Sequence, residues 1–376
     1  MIQPSRFFLN PRARSAEGAR EPGLFTIDEY AQVDAFFRAR HDVAPTPLHD
    51  LPGLAARLGL GGILIKDESS RLGLNAFKGV GVLYAVNRML ESGLIPPTAT
   101  LVCATQGNHG RAVAHVARRL GLQSRVYVPS GAVAARIDAL RAEGANVVRA
   151  AGGYDDAVAT MRTEAASNGW VIVSDTAWPG HEEVPRWIMA GYTRLLEEVA
   201  DRLHGDRPDI VIAQAGVGGL ACAVSSWLRY RYGDRQPYLI VCEPLAAACL
   251  METARAGTAV AVREGETIMT GLCAGQVSST VWRVILSIAD GFVAIDDTWA
   301  ERAIAQLAQP LARDSRVIAG ASGAAGLGAL LAILEEQALE AMRVHAGVDG
   351  RTKVLLINTE GTTDPSLLDR ILGAAS

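Results

Sequence analysis

Short apolar runs alternate with longer stretches of helical periodicity along most of the chain. The apolar runs that predict strands are 62–65, 100–103, 124–128, 146–149, 171–173, 210–213, 238–241 and 354–358. The clearest predicted helices span 77–90, 111–120, 132–143 and 156–168. Strands separated by helices predict parallel sheets that are covered by helices on both faces, which is an α/β fold. The first forty residues and the stretch 257–297 follow this pattern least.

Length, composition and charge narrow the class of protein. The chain has 376 residues, enough for two domains of roughly 100–200 residues each, and the polar segment 201–208 is the predicted junction between them. Hydrophobic residues make up 49% and charged residues 20%, which predicts a folded, soluble protein. The net charge is −4 and basic clusters are absent, so we expect no nucleic-acid partner.

Several other classes of protein fit poorly. Two uncharged runs, 210–228 and 317–334, contain three and four glycines, so we expect no membrane span. The chain starts without a signal pattern, and its five cysteines lack paired spacing, which indicates a reducing cytoplasm. The seven histidines show no metal-ligand spacing, and Gly-x-Ser-x-Gly is absent, which argues against a metal site and an esterase-type nucleophile.

Lysine is rare in this chain. Of the 36 basic residues, three are lysines (Lys66, Lys78 and Lys353), so any chemistry that needs a lysine amine has three candidates. Lys78 stands where a loop is predicted to enter a helix, and the positive end of a helix lowers an amine pKa. Lys66, beside two acidic residues, is interpreted as ion-paired, and Lys353 as solvated. The spacing alone leaves open whether Lys78 is reactive or a surface residue.

Two predicted strands run into glycine-rich turns and then helices. The turn 104–110 suits a carboxylate or phenolic oxygen at a helix start, and the turn 214–220 suits a phosphate. The second turn also allows a dinucleotide site, for which Asp234 or Glu243 is the weakly matched ribose-binding acid. After the last strand, we expect Thr359 to face a ligand and Asp364 to cap a helix. His109 is interpreted as stabilising its turn or stacking, and Trp178 and Trp187 as core or interface residues.

Several motifs in order resemble one known family. They are Lys66–Ser69 leading to 73–78 (Gly-Leu-Asn-Ala-Phe-Lys), 107–111 (Gly-Asn-His-Gly-Arg), 175–178 (Asp-Thr-Ala-Trp), 185–192, 214–219, 267–272 and 359–361. Together they span most of residues 45–365. The chain thereby resembles fold-type-II pyridoxal phosphate enzymes, the tryptophan synthase beta-like superfamily, and within them diaminopropionate ammonia-lyase. The segments that end in Lys78 and begin at Asp175 are the most specific.

The resemblance implies pyridoxal 5'-phosphate as cofactor and a β-elimination that releases ammonia and a 2-oxo acid. Lys78 would bind the cofactor covalently and remove the substrate's α-proton, and Asp175 would donate a proton to the leaving amine or orient it. The other implied cofactor contacts are Phe77, Asn108 (phenolic oxygen), Gly216, Val217, Gly218 and Gly219 (phosphate) and Thr359 (pyridine nitrogen). The implied substrate contacts are Thr105, Gln106, Tyr154 and Ser322.

Three positions depart from the family pattern by losing a carboxylate. Gln106 replaces the aspartate that serves as base for the D-isomer, and it cannot take a proton at neutral pH, so we predict loss of D-diaminopropionate activity. Ala321 and Thr362 also stand where relatives carry acids, which suggests an anionic or bulkier β-substituent in the substrate. Cys249 and Cys273 lie near positions of a relative's disulfide, but with a shift of one residue, and are expected to be thiols.

The combined prediction is an α/β enzyme of two three-layer lobes with mainly parallel sheets and the cofactor in the cleft between them. The large lobe would comprise 1–85 and 201–376, and the small lobe 86–200. We expect a cytoplasmic homodimer acting on a small β-substituted L-amino acid resembling 2,3-diaminopropionate. A serine/threonine- or hydroxyaspartate-type dehydratase is the first alternative, and a non-catalytic protein that binds pyridoxal phosphate or an amino acid is the second.

Overall fold

The computed structural model describes residues 4–14, 23–105 and 107–374. The chain divides into two compact units, Met1–Ser70 with Thr193–Ser376 and Arg71–Tyr192. Each unit is an α/β structure with a mainly parallel sheet, as predicted. The boundaries of these units differ from those of the predicted lobes, which are 1–85 with 201–376 and 86–200. The predicted division into a large cofactor-binding lobe and a small lobe stays a prediction.

The secondary structure follows the predicted alternation. The strands are β1 (Arg6–Leu9), β2 (Leu48–Asp50), β3 (Gly62–Asp67), β4 (Thr100–Ala104), β5 (Gln123–Val128), β6 (Asn146–Arg149), β7 (Val171–Ile172), β8 (Ile210–Gln214), β9 (Tyr238–Pro244), β10 (Gly291–Ile295) and β11 (Lys353–Asn358). The helices are α1 (Ile27–Arg38), α2 (Pro52–Leu58), α3 (Lys78–Glu91), α4 (Asn108–Arg119), α5 (Ala134–Ala142), α6 (Tyr154–Asn168), α7 (Glu183–Tyr192), α8 (Arg194–Leu203), α9 (Gly219–Tyr232), α10 (Cys249–Ala256), α11 (Trp282–Ile288), α12 (Asp297–Ala308), α13 (Ala321–Glu335), α14 (Glu340–His345) and α15 (Pro365–Ala374).

The first unit contains a seven-stranded sheet in the order β1-β10-β9-β8-β11-β3-β2. The five inner strands are parallel, and the two edge strands, β1 and β2, pair antiparallel with their neighbours. Strands β8 and β9 are buried along their whole length, which is why they read as continuous apolar runs in the sequence. β8 and β11 are neighbours, so the residues that follow their carboxyl ends lie side by side.

Helix α13 forms the centre of this unit's core. It carries no charge before its last residue, and its side chains from Ala321 to Ile333 are buried among those of α12 and the sheet. Glycines allow the close packing, because a Cβ at Gly328 would lie 2.9 Å from the backbone oxygen of Trp299. The uncharged run 317–334 is therefore a core helix, and none of the described helices is long and apolar enough to cross a membrane.

The second unit contains a four-stranded parallel sheet in the order β6-β5-β4-β7. A hydrophobic core cluster packs Val102 and Tyr127 of the sheet against Ala157, Met161 and Ala165 of α6. Helix α3 packs against α4 and α7. Since β4 and β7 are parallel neighbours, Thr105 after β4 and the segment 173–178 after β7 emerge at the same edge of the sheet.

Two stretches that look irregular in sequence contain regular elements. The first forty residues include β1 and α1, and 257–297 includes α11 and β10. Helix α1 has a capping box in which Glu29 N donates to Thr26 Oγ1 and Thr26 N donates to Glu29 Oε2. That Thr-x-x-Glu signal is visible in the sequence. The short edge strand β1 has no such signal, because it depends on pairing with β10.

Lys66, predicted to be ion-paired, lies in a buried charge network of the first unit. Its Nζ is 2.6 Å from Glu198 Oε2 and 3.6 Å from Glu68 Oε1, and it also donates to Thr46 Oγ1. Arg194 Nε donates to the other oxygen of Glu198 at 2.8 Å. The sequence pointed to Glu68 but not to Glu198, which is distant along the chain. Lys66 is thus committed to the core, whereas Lys353 is half-exposed and pairs with Asp206 at 2.6 Å.

Helices α3 and α7 cross at Gly81 and Gly191. We expect a larger side chain at this crossing to destabilise the protein strongly. A Cβ at Gly81 would lie 2.4 Å from Tyr192 Cε1 and 2.5 Å from the backbone oxygen of Ile188. Because the backbone oxygen cannot move independently, we expect Gly81→Ala to destabilise the protein by about 1–3 kcal/mol. Thermal unfolding followed by circular dichroism measures this, with Gly131→Ala, where a Cβ meets no atom within 4 Å, as the matched control. Equal melting temperatures for both variants would contradict the expectation.

Candidate active site

In the second unit, Lys78 and Asp175 form an ion pair. Lys78 is the first residue of α3, and its Nζ contacts Asp175 Oδ2 in the loop after β7. The side chains are 23% and 20% exposed, so both are mostly buried but accessible in part. The two residues that the sequence resemblance marked most specifically are thus in direct contact.

Each partner of this ion pair shifts the pKa of the other. Burial by itself lowers the pKa of the Lys78 amine, but the Asp175 carboxylate raises it above its ordinary value. Burial likewise raises the pKa of Asp175, but its interactions with His109 and with the Lys78 ammonium outweigh this and hold the pKa well below its usual range. At neutral pH, Asp175 is therefore ionised and faces an ammonium group.

A strained turn leads into Lys78. Leu72, Gly73 and Asn75 have φ angles of 53°, 71° and 60°, in the left-handed region. A leucine there is uncommon, and backbone strain of this kind costs on the order of 1–3 kcal/mol per residue. The turn also packs on the helix, since a Cβ at Gly79 would lie 2.8 Å from Leu72 Cδ1. The sequence analysis did not find this strain, although Gly-Leu-Asn is the type of segment that adopts such a turn.

Aromatic side chains surround the Lys78 amine. Its Nζ lies 5.5 Å from the centroid of the Phe77 ring, which in turn contacts the Tyr192 ring at 4.7 Å. Tyr192 is buried, and burial raises the pKa of its hydroxyl. Tyr154, the first residue of α6, is 44% exposed, and burial of its hydroxyl end together with the charge of Asp175 raises its pKa to about 12. Tyr192 is a neighbour of Lys78 that the sequence analysis missed.

His109 packs beside the ion pair from the start of α4. Its ring is buried, its Nε2 lies 2.8 Å from the backbone oxygen of Val173, and its Nδ1 lies 3.7 Å from Asp175 Oδ2. The bond to Val173 agrees with the predicted role in stabilising the turn. The approach to Asp175 was not predicted, because it depends on two loops that are 66 residues apart in sequence.

The turn that follows β4 is held by Thr105. Its hydroxyl accepts a hydrogen bond from Gly107 N at 3.1 Å, and its side chain is buried. Asn108 begins α4, at the end of a helix that favours negative charge. Gln106 lies outside the described residues, so its predicted substrate contact stays a prediction. Trp178, predicted to be a core or interface residue, is half-buried and stacks on His181, and Trp187 is also half-buried.

In the first unit, Gln214 joins the ends of two neighbouring strands. Its Nε2 donates to the backbone oxygens of Ile357 at 2.8 Å and Ser322 at 3.0 Å, and lies 3.2 Å from Thr359 Oγ1. Thr359 is buried at the carboxyl end of β11, where a ligand was expected. The role of Gln214 was missed, although a glutamine that ends an apolar strand is a visible signal.

The prediction that Asp364 caps a helix is confirmed, since its side chain accepts hydrogen bonds from Ser366 N and Leu367 N at the start of α15.

The glycine turn after β8 opens helix α9. Gly218 has φ of 100°, and a Cβ there would lie 2.9 Å from Val281 Cγ2. A Cβ at Gly216 would lie 3.2 Å from the backbone of Leu272, so both positions need glycine. The first N–H groups of a helix have no partner within it, and they suit a phosphate. Glu243 is fully buried and accepts from Leu250 N and Met251 N, which removes it as a ribose-binding acid.

Ser322 connects helix α13 to the segment 267–272. Its hydroxyl accepts from Gly271 N at 3.1 Å, and the side chain is buried. The hydroxyl predicted to contact substrate therefore orders a loop in this structure. Next to the glycine turn, Cys249 donates its thiol to the backbone oxygen of Gly216 over 3.6 Å, and burial raises its pKa. Cys249 and Cys273, which lie near the positions of a relative's disulfide, are both free thiols, as expected.

Comparison with known proteins identifies the family. The model of the family described as "Pyridoxal-phosphate dependent enzyme" matches residues 39–350. The diaminopropionate ammonia-lyase of Salmonella typhimurium is 37% identical over 367 residues, covering 91% of this chain and 91% of the relative. The chain belongs to the diaminopropionate ammonia-lyase family of pyridoxal-phosphate dependent enzymes.

Solved structures of this family agree with the fold. Holo diaminopropionate ammonia-lyase from Escherichia coli superposes with a TM-score of 0.91 at 31% identity, covering 100% of this chain and 99% of the other. The same enzyme in complex with an aminoacrylate-PLP azomethine reaction intermediate superposes with a TM-score of 0.90 at 32% identity, covering 100% and 98%. The predicted family, the fold-type-II architecture and the cofactor pyridoxal 5'-phosphate are confirmed.

The residues of this chain fit that cofactor. Lys78 supplies an amine that is only partly exposed. At Gly216 and Gly218 a Cβ would lie 3.2 Å and 2.9 Å from neighbouring atoms, so these two positions of the turn offer backbone N–H groups without a side chain. Gln214 fixes the Thr359 hydroxyl at the end of β11. Within the part of the chain that the structure describes, no group of three or more metal-binding side chains occurs.

Proposed function

We propose that this protein eliminates ammonia from a β-amino-substituted L-amino acid of the 2,3-diaminopropionate type. The observation that carries the proposal is the contact between Lys78 and Asp175, which puts a carboxylate beside the reactive amine. The leaving amino group of such a substrate is an ammonium, and it would take the position that the Lys78 ammonium occupies against Asp175. A carboxylate that stays ionised stabilises this cation better than it would stabilise a neutral hydroxyl.

Pyridoxal phosphate, when bound through Lys78, supplies the electron sink that acidifies the α-carbon. The Lys78 amine removes the α-proton once it is unprotonated. Asp175 orients the β-amino group and stabilises its positive charge, rather than donating a proton, because its pKa is lowered. The backbone of 216–219 would hold the phosphate, Asn108 would bond the phenolic oxygen and Thr359 would face the ring nitrogen. A hydroxyl partner, unlike a carboxylate, would leave that nitrogen largely unprotonated and so make the cofactor a weaker electron sink.

A substrate comparison tests this proposal. We expect L-2,3-diaminopropionate to be turned over at least about ten times more efficiently than L-serine or L-threo-3-hydroxyaspartate, because Asp175 favours a cationic leaving group. The stoichiometry is a second measure, since diaminopropionate releases two ammonia molecules for each 2-oxo acid and a hydroxyamino acid releases one. A preference for serine or hydroxyaspartate would make the protein a dehydratase. Spectral changes without any 2-oxo acid would indicate a binding protein.

The stereochemistry depends on Gln106. The resemblance implies that an aspartate at this position serves as base for the D-isomer, and glutamine cannot accept a proton at neutral pH. A general base contributes about 10²- to 10⁴-fold, so we expect D-diaminopropionate to react at least about 100 times more slowly than the L-isomer. Gln106→Asp should raise D-isomer turnover and leave L-isomer turnover within a few-fold. Equal turnover of both isomers by the unmodified protein would refute this assignment.

Ala321 and Thr362, which stand where relatives carry acidic residues, bear on the β-substituent of the substrate. They favour a β-substituent that is bulkier or anionic, whereas Asp175 favours a cationic amine. An N-substituted diaminopropionate with a carboxylate on the substituent satisfies both, and it belongs in the same substrate comparison.

We further propose that the protein works as a homodimer in the cytoplasm. The cysteine pattern supports the compartment, and the resemblance supports the dimer. Light scattering coupled to gel filtration should give about twice the chain mass of 39.8 kDa. A mass equal to a single chain would contradict the dimer.

A further inference from the structure

The proton on His109 is placed by its hydrogen bond to the backbone. Its Nε2 lies 2.8 Å from the oxygen of Val173, and a carbonyl oxygen only accepts, so Nε2 carries the proton. In the neutral ring, Nδ1 then has a free lone pair. This atom is buried and has no hydrogen-bond partner among the residues that the structure describes. His109 itself is 5% exposed.

The free nitrogen points to the carboxylate that pairs with Lys78. His109 Nδ1 lies 3.7 Å from Asp175 Oδ2, and Oδ2 is also the atom that contacts Lys78 Nζ. Two acceptors that face each other in a buried site repel unless a proton lies between them or a cation neutralises one of them. In the ion-paired state, the Lys78 ammonium provides that cation.

We propose that His109 is a positioning residue that takes up a proton at Nδ1 when Lys78 becomes uncharged, and so keeps Asp175 ionised and in place. In this exchange an N–H bond at Lys78 Nζ breaks and an N–H bond at His109 Nδ1 forms, so Asp175 keeps a cationic neighbour until the substrate's ammonium group reaches it. This inference deepens the proposed function, because it rests on Lys78 being the lysine that is neutral during the reaction.

The other titratable groups around the pair do not change charge in the neutral range. Burial raises the pKa of the Cys103 thiol on β4 and of the Tyr192 hydroxyl on α7. Tyr154 on α6 has its pKa raised to about 12. For His109, burial and the Lys78 charge lower the pKa while Asp175 raises it, so loss of the Lys78 charge removes one lowering cause. Among the described titratable groups around the pair, Lys78, Asp175 and His109 are therefore the ones that can exchange charge.

Nuclear magnetic resonance of the full-length, cofactor-free protein with ¹⁵N-labelled histidine tests the exchange without any measurement of activity. His109→Gln identifies the resonance by its disappearance. We expect the Nε2–H form at neutral pH in the unmodified protein, and a pKa of His109 that is raised by about one unit or more in Lys78→Met. Adding Asp175→Asn to Lys78→Met should abolish the rise. An unchanged His109 pKa in Lys78→Met, or a proton on Nδ1 in the unmodified neutral ring, overturns the proposal.

The pH dependence of the reaction provides a second readout. The side-chain amide introduced by His109→Gln can still donate to Val173 but cannot titrate, so we expect the variant to fold and bind cofactor while the acidic limb of kcat shifts or disappears. His115→Gln is the matched control on the same helix, where His115 Nδ1 pairs with Glu143 at 3.0 Å. An unchanged pH profile in His109→Gln would refute the proton exchange. If no amino acid is eliminated efficiently, the proposed function fails, and the resonance data alone decide the His109 inference.

Discussion

Lys78→Ala is expected to abolish elimination and covalent attachment of the cofactor together. The variant removes the amine that binds pyridoxal phosphate and the base for the α-proton, so turnover should fall by about 10⁴-fold or more. Borohydride reduction followed by mass spectrometry of peptides should locate the trapped cofactor on Lys78 in the unmodified protein and find no adduct in the variant. The visible absorbance band of the bound cofactor should be lost in parallel.

The other two lysines make this a sharp test. Lys353 is half-exposed and pairs with Asp206, so Lys353→Ala is the matched control and should keep both the adduct and the activity. Lys66 is fully buried and pairs with Glu198, so it cannot replace the lost amine. An adduct that persists in Lys78→Ala on either residue would show that the assignment is wrong.

Asp175→Asn is expected to separate cofactor binding from elimination. The amide has the same shape as the carboxylate but no charge, so Lys78 should still bind the cofactor, while turnover of a substrate with a cationic leaving group should fall by about 10²- to 10⁴-fold. The loss should appear in kcat, because Asp175 keeps the β-amino group protonated and the amine departs as neutral ammonia only from that protonated form. Steady-state kinetics with L-diaminopropionate and with L-serine measure it, and the loss should be smaller for serine.

The pKa shifts predict how this variant responds to pH. The pKa of Asp175 is lowered, so the carboxylate is ionised throughout the neutral range and loses its charge only when the pH falls well below the ordinary value for aspartate. Asp175 itself therefore contributes no limb to the activity profile between about pH 6 and 8, and a limb that shifts in Asp175→Asn reports on Lys78 or His109. Since Asp175 raises the pKa of Lys78, the variant should make the free amine less basic. Full activity in Asp175→Asn would exclude the proposed role, and Asp138→Asn, at a highly exposed acid, is the control.

Much of the architecture was predictable because it depends on local patterns. Buried parallel strands such as β8 and β9 are continuous apolar runs, and helix α13 is apolar throughout because it is buried on all sides. The strand-to-helix turns that hold Lys78, Asn108 and Gly219 follow from glycines and from a change in periodicity. Edge strand β1 was not predictable, since its few residues are stabilised by pairing with β10 rather than by their own pattern.

The candidate site was predictable in part. Residue types and motif order pointed to Lys78 and Asp175 separately. Since only three of the 36 basic residues are lysines, few candidates existed for the reactive amine. The roles of Gln214, Tyr192 and Glu198 were missed, because each depends on partners that are far away in sequence. No local pattern encodes such a partner, and many residues of the same type occur along the chain.

The sequence by itself determined the fold class and the family and predicted Lys78 as the reactive amine, because periodicity, glycine turns and motif order are properties of the chain. Tertiary structure alone decided which charges meet. It joined Lys78 to Asp175 and brought His109 Nδ1 to 3.7 Å from the same carboxylate, and it placed Lys66 in a buried ion network. The physical reason is that charge and proton affinity depend on distance and burial, and these are set only when parallel strands bring their carboxyl ends to one edge of a sheet.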